Sequence, residues 1–323
     1  MNEYTLRPYR DGDEIAIAEL FTEVFQKKIS PEFWVWKYLK CPYPLKKFLY
    51  VAEYQGKVVG HYGRRGLFIN FMGKRKRVSH ECDLMVLEEH QVGLSSLMSS
   101  KFEEALTDLN IDVRFGFPNE NSSYLFFSRV GVNVAKIKTY MLSPFDNSTA
   151  IYLKNSDPDN FYTFIIEDET KITDENYAIL WKGIAKKEFL SILKNYDYFQ
   201  WRYINCPSEK YTIHSAFYND ELFGVIALKI SGNVVSILDI LVLEKNTKIA
   251  QSFLYQLIST YYKDKIVVFK GFDEWFLDIA FHGFVRNDFF SDFFFTKSAN
   301  ESERHIYENR VNWTVSMGDN DAF

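Results

Sequence analysis

The segment Gln91-Val92-Gly93-Leu94-Ser95 is the first place where the sequence offers chemistry. It sets a glycine in a polar loop at the start of a helical pattern. Backbone N–H groups at a helix N-terminus make a good seat for phosphate. Upstream, His80 and Glu81 are neighbours on a strand pattern. Either can take a proton from an amine, and strand alternation sends the two to opposite faces. Trp34, Trp36 and Tyr38 fall on a short helical segment, with Tyr43 and Tyr50 nearby. Their faces suit a sugar or nucleobase ring, and core packing is the alternative. Lys74-Arg75-Lys76-Arg77 could steer a phosphorylated substrate or form a solvated hairpin tip. Cys41, Cys82 and Cys206 stand far apart, and the six histidines show no HxxxH or HxH pattern. No metal site is expected, and the cysteines read as reduced.

The elements that must position these groups follow from periodicity. Glu3–Tyr9 alternates as a strand. Asp11-Gly12-Asp13 offers an N-cap, followed by Ile17, Leu20, Phe21, Val24 and Phe25 at helical spacing. Ser30-Pro31 opens a second helix, Glu32–Leu39. Strands are expected at Leu49–Tyr54 and Lys57–Tyr62, turning at Gln55-Gly56, and at Gly66–Phe71 and Val78–Leu87, turning within Met72–Arg77. After the loop Glu88–Val92, a helix begins near Gly93, with Leu94, Leu97, Met98, Phe102, Ala105, Leu106 and Leu109 on one face. A strand at Val113–Phe117, a break at Pro118-Asn119, a helix at Ser123–Arg129 and a strand at Val134–Leu142 complete a mixed α/β plan.

The chain has 323 residues, enough for two domains, with a net charge of -5 that disfavours nucleic acid as a partner. An internal repeat says how the length is used. Trp36-Lys37-Tyr38-Leu39-Lys40-Cys41-Pro42 matches Trp201-Arg202-Tyr203-Ile204-Asn205-Cys206-Pro207. Tyr54–Gly60 matches Tyr218–Gly224, Asp83–Glu88 matches Asp239–Glu244, and Gly131-Val132 matches Gly283-Phe284. The order is kept throughout, as two copies of one domain with loop deletions would produce. The expected organisation is 1–142, a polar linker 143–160, and 161–323. Asp83 recurs as Asp239 and so reads as structural. The phenylalanine-rich stretch Phe289–Phe295 reads as a core strand of the second domain. The N-terminus lacks an apolar stretch, and no apolar run is long enough to span a membrane. A cytoplasmic protein is expected, as a monomer with internal pseudo-symmetry or as a homodimer.

Leu6-Arg7-Pro8, Val51-Ala52-Glu53 with Gly56–Gly60, Asp83–Val86 running into Glu88–Leu94, and Phe117-Pro118-Asn119 to Gly131-Val132 together resemble the GNAT superfamily of N-acyltransferases. The resemblance covers 1–142 and, more weakly, 161–298. The two Trp…Cys-Pro motifs and the closing Met317–Asp321 resemble a tandem-GNAT subgroup associated with surface-polysaccharide biosynthesis. The resemblance implies acetyl-CoA or another acyl-CoA as co-substrate, held by Met85, Val86, Leu87, Gln91, Val92, Gly93, Leu94, Ser95 and Asn119. It implies Glu81, then His80, as general base, and a small amine acceptor, an amino sugar being favoured, near Trp34, Trp36 and Tyr38. The family's usual acid, a tyrosine four residues before the terminal Gly, is here Phe127, so Tyr124 is the substitute. The loop is one residue shorter than the family pattern. The second copy, Glu244–Ala250, has no glycine and is expected not to bind CoA. Aminoacyl-tRNA-dependent peptide-bridge transferases, which have two GNAT-like halves, and a non-catalytic GNAT-like binding protein are the competing classes.

Overall fold

Ser30 and Pro31 show how local chemistry starts an element here. The Ser30 hydroxyl accepts from the Phe33 N–H (3.1 Å), and Pro31 occupies the first helical position of α2, Pro31–Leu39. The computed structural model describes residues 4–104, 111, 113–118, 133–156, 161–271, 275, 283–298 and 301–320.

β1 (Thr5–Pro8) leads to α1 (Asp13–Phe25), whose cap position is Gly12 with no capping side chain. Asp13 instead receives the Arg7 guanidinium at 2.7 Å, and Arg7 also reaches Glu53 at 2.5 Å, so one arginine ties β1 to α1 and to the next strand. That strand, β2 (Tyr50–Tyr54), turns at Gln55-Gly56 into β3 (Lys57–Phe71). The two strands expected at Lys57–Tyr62 and Gly66–Phe71 are thus one 15-residue strand. β4 (Lys74–Val86) follows a turn of only Met72-Gly73. The basic run therefore lies in the strand, where Lys76 pairs with Glu303 (3.1 Å) and Arg75 covers the Phe68 ring.

α3 (Gln91–Glu104), β5 (Val113–Gly116) and β6 (Asn133–Leu142) end the first segment. The presumed linker holds a helix, α4 (Ser148–Asn155), which buries Tyr152. The second segment runs β7 (Ile165–Glu167), α5 (Asp174–Ala185), β8 (Leu190–Ile192), α6 (Tyr196–Phe199), β9 (Thr212–Tyr218), β10 (Glu221–Ser231), β11 (Val234–Val242), α7 (Thr247–Leu257), β12 (Ile266–Gly271), β13 (Val285–Ser298), α8 (Arg304–Tyr307) and β14 (Trp313–Thr314).

Among the described residues these strands form one mixed sheet in the order β1-β2-β3-β4-β5-β13-β6-β12-β11-β10-β9-β7, with β8 on the far end of β3 and β14 on β8. The segments interleave. β13, the last long strand of the second, lies between β5 and β6 of the first, and β6 pairs with β12 of the second. The phenylalanine-rich strand is therefore a core strand of the joint sheet, with Phe294 and Phe295 buried, rather than of a separate second domain.

The centre of the joint is reciprocal. Trp36 and Trp201 stack at 5.1 Å, the Trp36 indole N–H donates to the Trp201 carbonyl (2.8 Å), and the Trp201 indole N–H donates to the Trp36 carbonyl (3.1 Å). Gly60 and Gly224 match as well. A Cβ at Gly60 would lie 2.8 Å from the Met98 sulfur of α3, and one at Gly224 would lie 3.1 Å from Phe253 of α7. Each glycine lets its helix settle on the sheet.

The fully buried His61 carries a pH dependence. Its Nδ1 meets the Tyr50 carbonyl at 2.9 Å, and its Nε2 faces the Trp34 indole N–H at 3.4 Å, an arrangement that suits the neutral ring. Burial pushes its pKa down to about 4. The folded value lies below the unfolded one, so the unfolded chain binds more protons in acid. The stability is complete above pH 6.5 and is lost as the pH falls toward 4, by about 3 kcal/mol. Denaturant titrations across that range should show a shallower pH slope for His61→Gln than for the wild type. An unchanged slope would exclude this role.

Candidate acyl-transfer site

The parallel ladder between β4 and β5 ends at the pair Glu81–Gly116, yet β4 continues to Val86. Five residues of β4 therefore run past the ladder, and among the described residues no strand pairs with that side of β4 over Cys82–Val86, which leaves a notch there. Met85 and Val86 are buried on their side chains, so what β4 offers the notch is backbone. Leu87 donates its N–H to the Val59 carbonyl (3.0 Å), and a short turn at Glu88–His90 leads to the loop.

At Gly93 the chain takes φ 85°, a left-handed conformation that breaks the first turn of α3 and that L side chains adopt at a cost of about 1–2 kcal/mol. Nothing lies within 4 Å of where its Cβ would be. Gln91, Val92 and Gly93 are exposed, Val92 at 96%. The Gln91 amide lies 3.4 Å from the Val86 carbonyl, tying the loop to the strand. Leu94 and Met98 are buried against β2, β3 and Val86 and fix the helix behind the loop, whereas Leu97 faces solvent. The N–H groups of the first true turn thus sit at an open end, the geometry that suits an anion.

The second segment also has a parallel ladder that ends before its longer strand does. The β11–β12 ladder ends at Ile237–Phe269 while β11 runs on to Val242. Here the chain's own residues enter the gap. Ser316 bridges to Gly271, and Thr314, Val315 and Ser316 line a residual cavity of about 30 Å³ with Lys194, Asp239 and Trp275. The N-terminus of α7 is closed by Asn246, whose side chain accepts from the Ile249 N–H (3.1 Å). Gly183 of α5 packs onto Leu243 and Glu244. The tail Met317–Asn320 seals the cluster, with Arg202 donating to the Gly318 carbonyl (3.1 Å) and the Asn320 carbonyl (3.2 Å) and Lys194 pairing with Asp319 (2.9 Å). Burial opposes the Lys194 charge, but Asp239 and Asp319 outweigh it and hold its pKa above the usual lysine value.

Alternation separates His80 from Glu81 as expected. His80 stacks on Phe115 at 4.6 Å and bonds through Nδ1 to Arg65, which lies over the Trp201 ring. Glu81 faces the other way. Its Oε1 meets Arg114 (3.0 Å) and Arg64 (3.5 Å), and its Oε2 accepts from the Tyr62 hydroxyl (3.2 Å). Both sit at the last rungs before the notch, but both are engaged and buried. Ser95 follows Gly93 in the first turn of α3. Asn119, Tyr124 and Phe127 lie outside the described residues.

The expected acceptor aromatics are corrected. Trp34, Trp36 and Tyr38 are 0, 3 and 0% exposed. Trp34 packs among Tyr9, Tyr38 and His61, Trp36 spends its face and its N–H on Trp201, and the Tyr38 hydroxyl is spent on Asp83 (2.5 Å). No ring of a substrate can stack on them. Among the described residues no group of three His, Cys, Asp or Glu side chains is placed to hold a metal ion, and no helix is long and apolar enough to cross a membrane.

Comparison with known proteins agrees with this frame. Residues 5–135 match the family model of the acetyltransferase (GNAT) domain. The whole fold resembles a probable N-acyltransferase from Enterococcus faecalis V583, with TM-score 0.68 and 10% identity over 92% of this chain and 72% of that one. It also resembles a GCN5-related N-acetyltransferase from Anabaena variabilis, with TM-score 0.67 and 12% identity over 92% and 73%. A third likeness is to Saccharomyces cerevisiae N-myristoyltransferase with bound myristoyl-CoA, with TM-score 0.61 and 11% identity over 98% and 86%. No curated protein sequence matches the chain. The fold is a mixed α/β, GNAT-like one, and residues 5–135 carry the match to the acetyltransferase (GNAT) domain.

Proposed function

We propose that the chain transfers an acyl group, acetyl being the first choice, from acyl-CoA to a primary amine of a small acceptor. The observation that carries this is the continuous path from the β4 notch through Gly93 into the open N-terminus of α3. Backbone of Met85, Val86 and Leu87 would hold the pantetheine arm, and the loop Gln91–Ser95 the pyrophosphate. Acyl-CoA supplies the activated thioester, and the chain supplies orientation and a proton acceptor.

The chain would then be two copies of one GNAT-like domain, only the first of which takes CoA. The reciprocal tryptophans, the matched Gly60 and Gly224 and the two interrupted ladders support that reading. The plug at Thr314–Ser316 and the Asn246 cap support a closed second notch. A surface-polysaccharide role rests on the sequence motifs alone. Since Trp34, Trp36 and Tyr38 belong to the core, the case for an amino sugar loses its ring-binding residues, and the primary amine is what remains.

Acetyl-CoA at about 100 times its Kd should stabilise the wild type by about 2.7 kcal/mol. Gly93→Val, which strains the loop and fills the open space before the helix, should lose that protection in a thermal melt. Absence of protection in the wild type would remove this reading, and full protection of Gly93→Val would move the site elsewhere.

A further inference from the structure

Two carboxylates stand where the β4–β5 ladder ends. Glu81, on the last rung, is engaged at both oxygens and its side chain is 2% exposed. Asp83, two residues on, is different. Gly63 pairs with Cys82 and His61 with Met85, so Asp83 and Leu84 together oppose the single residue Tyr62. This bulge puts Asp83 at φ 52° and turns its side chain toward α2. Bulges beside active sites re-aim side chains in this way. The Tyr38 hydroxyl (2.5 Å) and Lys37 Nζ (2.7 Å) both bind Oδ2. Oδ1 receives no hydrogen bond among the described residues, and the side chain keeps 10% exposure.

Asp239 is the matching residue and has no such freedom. Lys194 (2.5 Å) and the Ser316 hydroxyl take its Oδ1, the Tyr203 hydroxyl takes its Oδ2, and its side chain is 2% exposed under the tail. The same aspartate is held by the same kind of tyrosine in both segments. Among the described residues, only the first, beside the end of the β4–β5 ladder, keeps an oxygen without a hydrogen bond.

Resting on the acyltransferase reading, we propose that Asp83 is the proton acceptor for the attacking amine, with Lys37 and Tyr38 holding it in place. The amine nitrogen attacks the thioester carbonyl carbon and the C–N bond forms. Asp83 Oδ1 takes the N–H proton. The C–S bond breaks, and the thiolate leaves with the bonding pair and is protonated by water, while Asp83 returns its proton to solvent. Recurrence of the aspartate then marks a shared frame, one member of which does chemistry.

Asp83→Asn keeps an oxygen for Tyr38 and Lys37 but cannot take the proton. Thiol release from acetyl-CoA is measured with ethanolamine and with hydroxylamine, which is unprotonated at neutral pH, as acceptors. Rates are expressed per bound acetyl-CoA. With ethanolamine the variant should be slower by about 100-fold or more. With hydroxylamine the loss should be much smaller, and this ratio does not depend on how much of the variant is folded. Asp239→Asn should turn over like the wild type per folded molecule. An equal loss with both amines, no loss in Asp83→Asn, or a wild type that binds acetyl-CoA yet releases no thiol overturns the assignment while leaving the CoA site standing. A wild type that does not bind acetyl-CoA removes the acyltransferase reading, and this assignment with it.

Discussion

Glu81→Ala is expected to destabilise the protein by about 3–5 kcal/mol, the scale seen when one member of a buried ion pair is removed. Arg64 is 0% and Arg114 4% exposed, and both lean on the one carboxylate. Its removal takes from two buried positive charges the negative charge they share, and breaks the hydrogen bond from the Tyr62 hydroxyl as well. Glu81→Gln should recover part of the loss, since the amide oxygen can still accept from Arg114 while the amide NH2 donates to the Tyr62 hydroxyl. For a chain of this length the drop corresponds to about 5–7 °C in Tm. If Glu81 were instead the general base, both variants would melt like the wild type and lose turnover alone. Thermal melts with and without acetyl-CoA separate the two outcomes.

Trp36→Ala is the second large effect. Truncating a buried tryptophan costs about 3–5 kcal/mol. Here the side chain also carries a hydrogen bond to the Trp201 carbonyl and a stacked partner across the joint between the segments. The reciprocal geometry makes a sharper statement. Trp201→Ala should cost a similar amount, and the double variant should cost clearly less than the sum, because each single change already removes the shared stack. Strict additivity, measured by denaturant unfolding of the three variants, would show that the two rings act separately.

What the sequence reveals about this fold is what short-range chemistry encodes. The Ser30-Pro31 start, the Gln55-Gly56 turn, the stripe of Leu94 and Met98 and the glycine at the head of α3 each depend on neighbours a few residues away. The matched motifs were readable too, because residues such as Trp36 and Trp201 keep their types, and in the fold these two stack on each other. Strand exchange was not. Nothing local to Val285–Ser298 says that it inserts between β5 and β6, since any strand with that pattern satisfies either neighbour. The same gap explains the aromatic residues. Trp34, Trp36 and Tyr38 carry the composition of a ring-binding site, and only their long-range partners His61, Trp201 and Asp83 show that their faces and donors are spent. Asp83 shows the converse. Its recurrence suggested a structural role, and only the unequal surroundings of the two aspartates distinguish them. The plug at Thr314–Ser316 lies about 75 residues in sequence from the Asp239 it covers, beyond the reach of any spacing argument.

The proposal that the first notch takes CoA while Thr314–Ser316 fill the second has a numerical consequence. Titration of the wild-type protein with acetyl-CoA, read by calorimetry, should give one site per chain. It should give one site again after Asn246→Ala removes the cap of α7, because Thr314–Ser316 still fills the second notch. Two sites per chain would contradict the closed second half, and none would contradict the account as a whole.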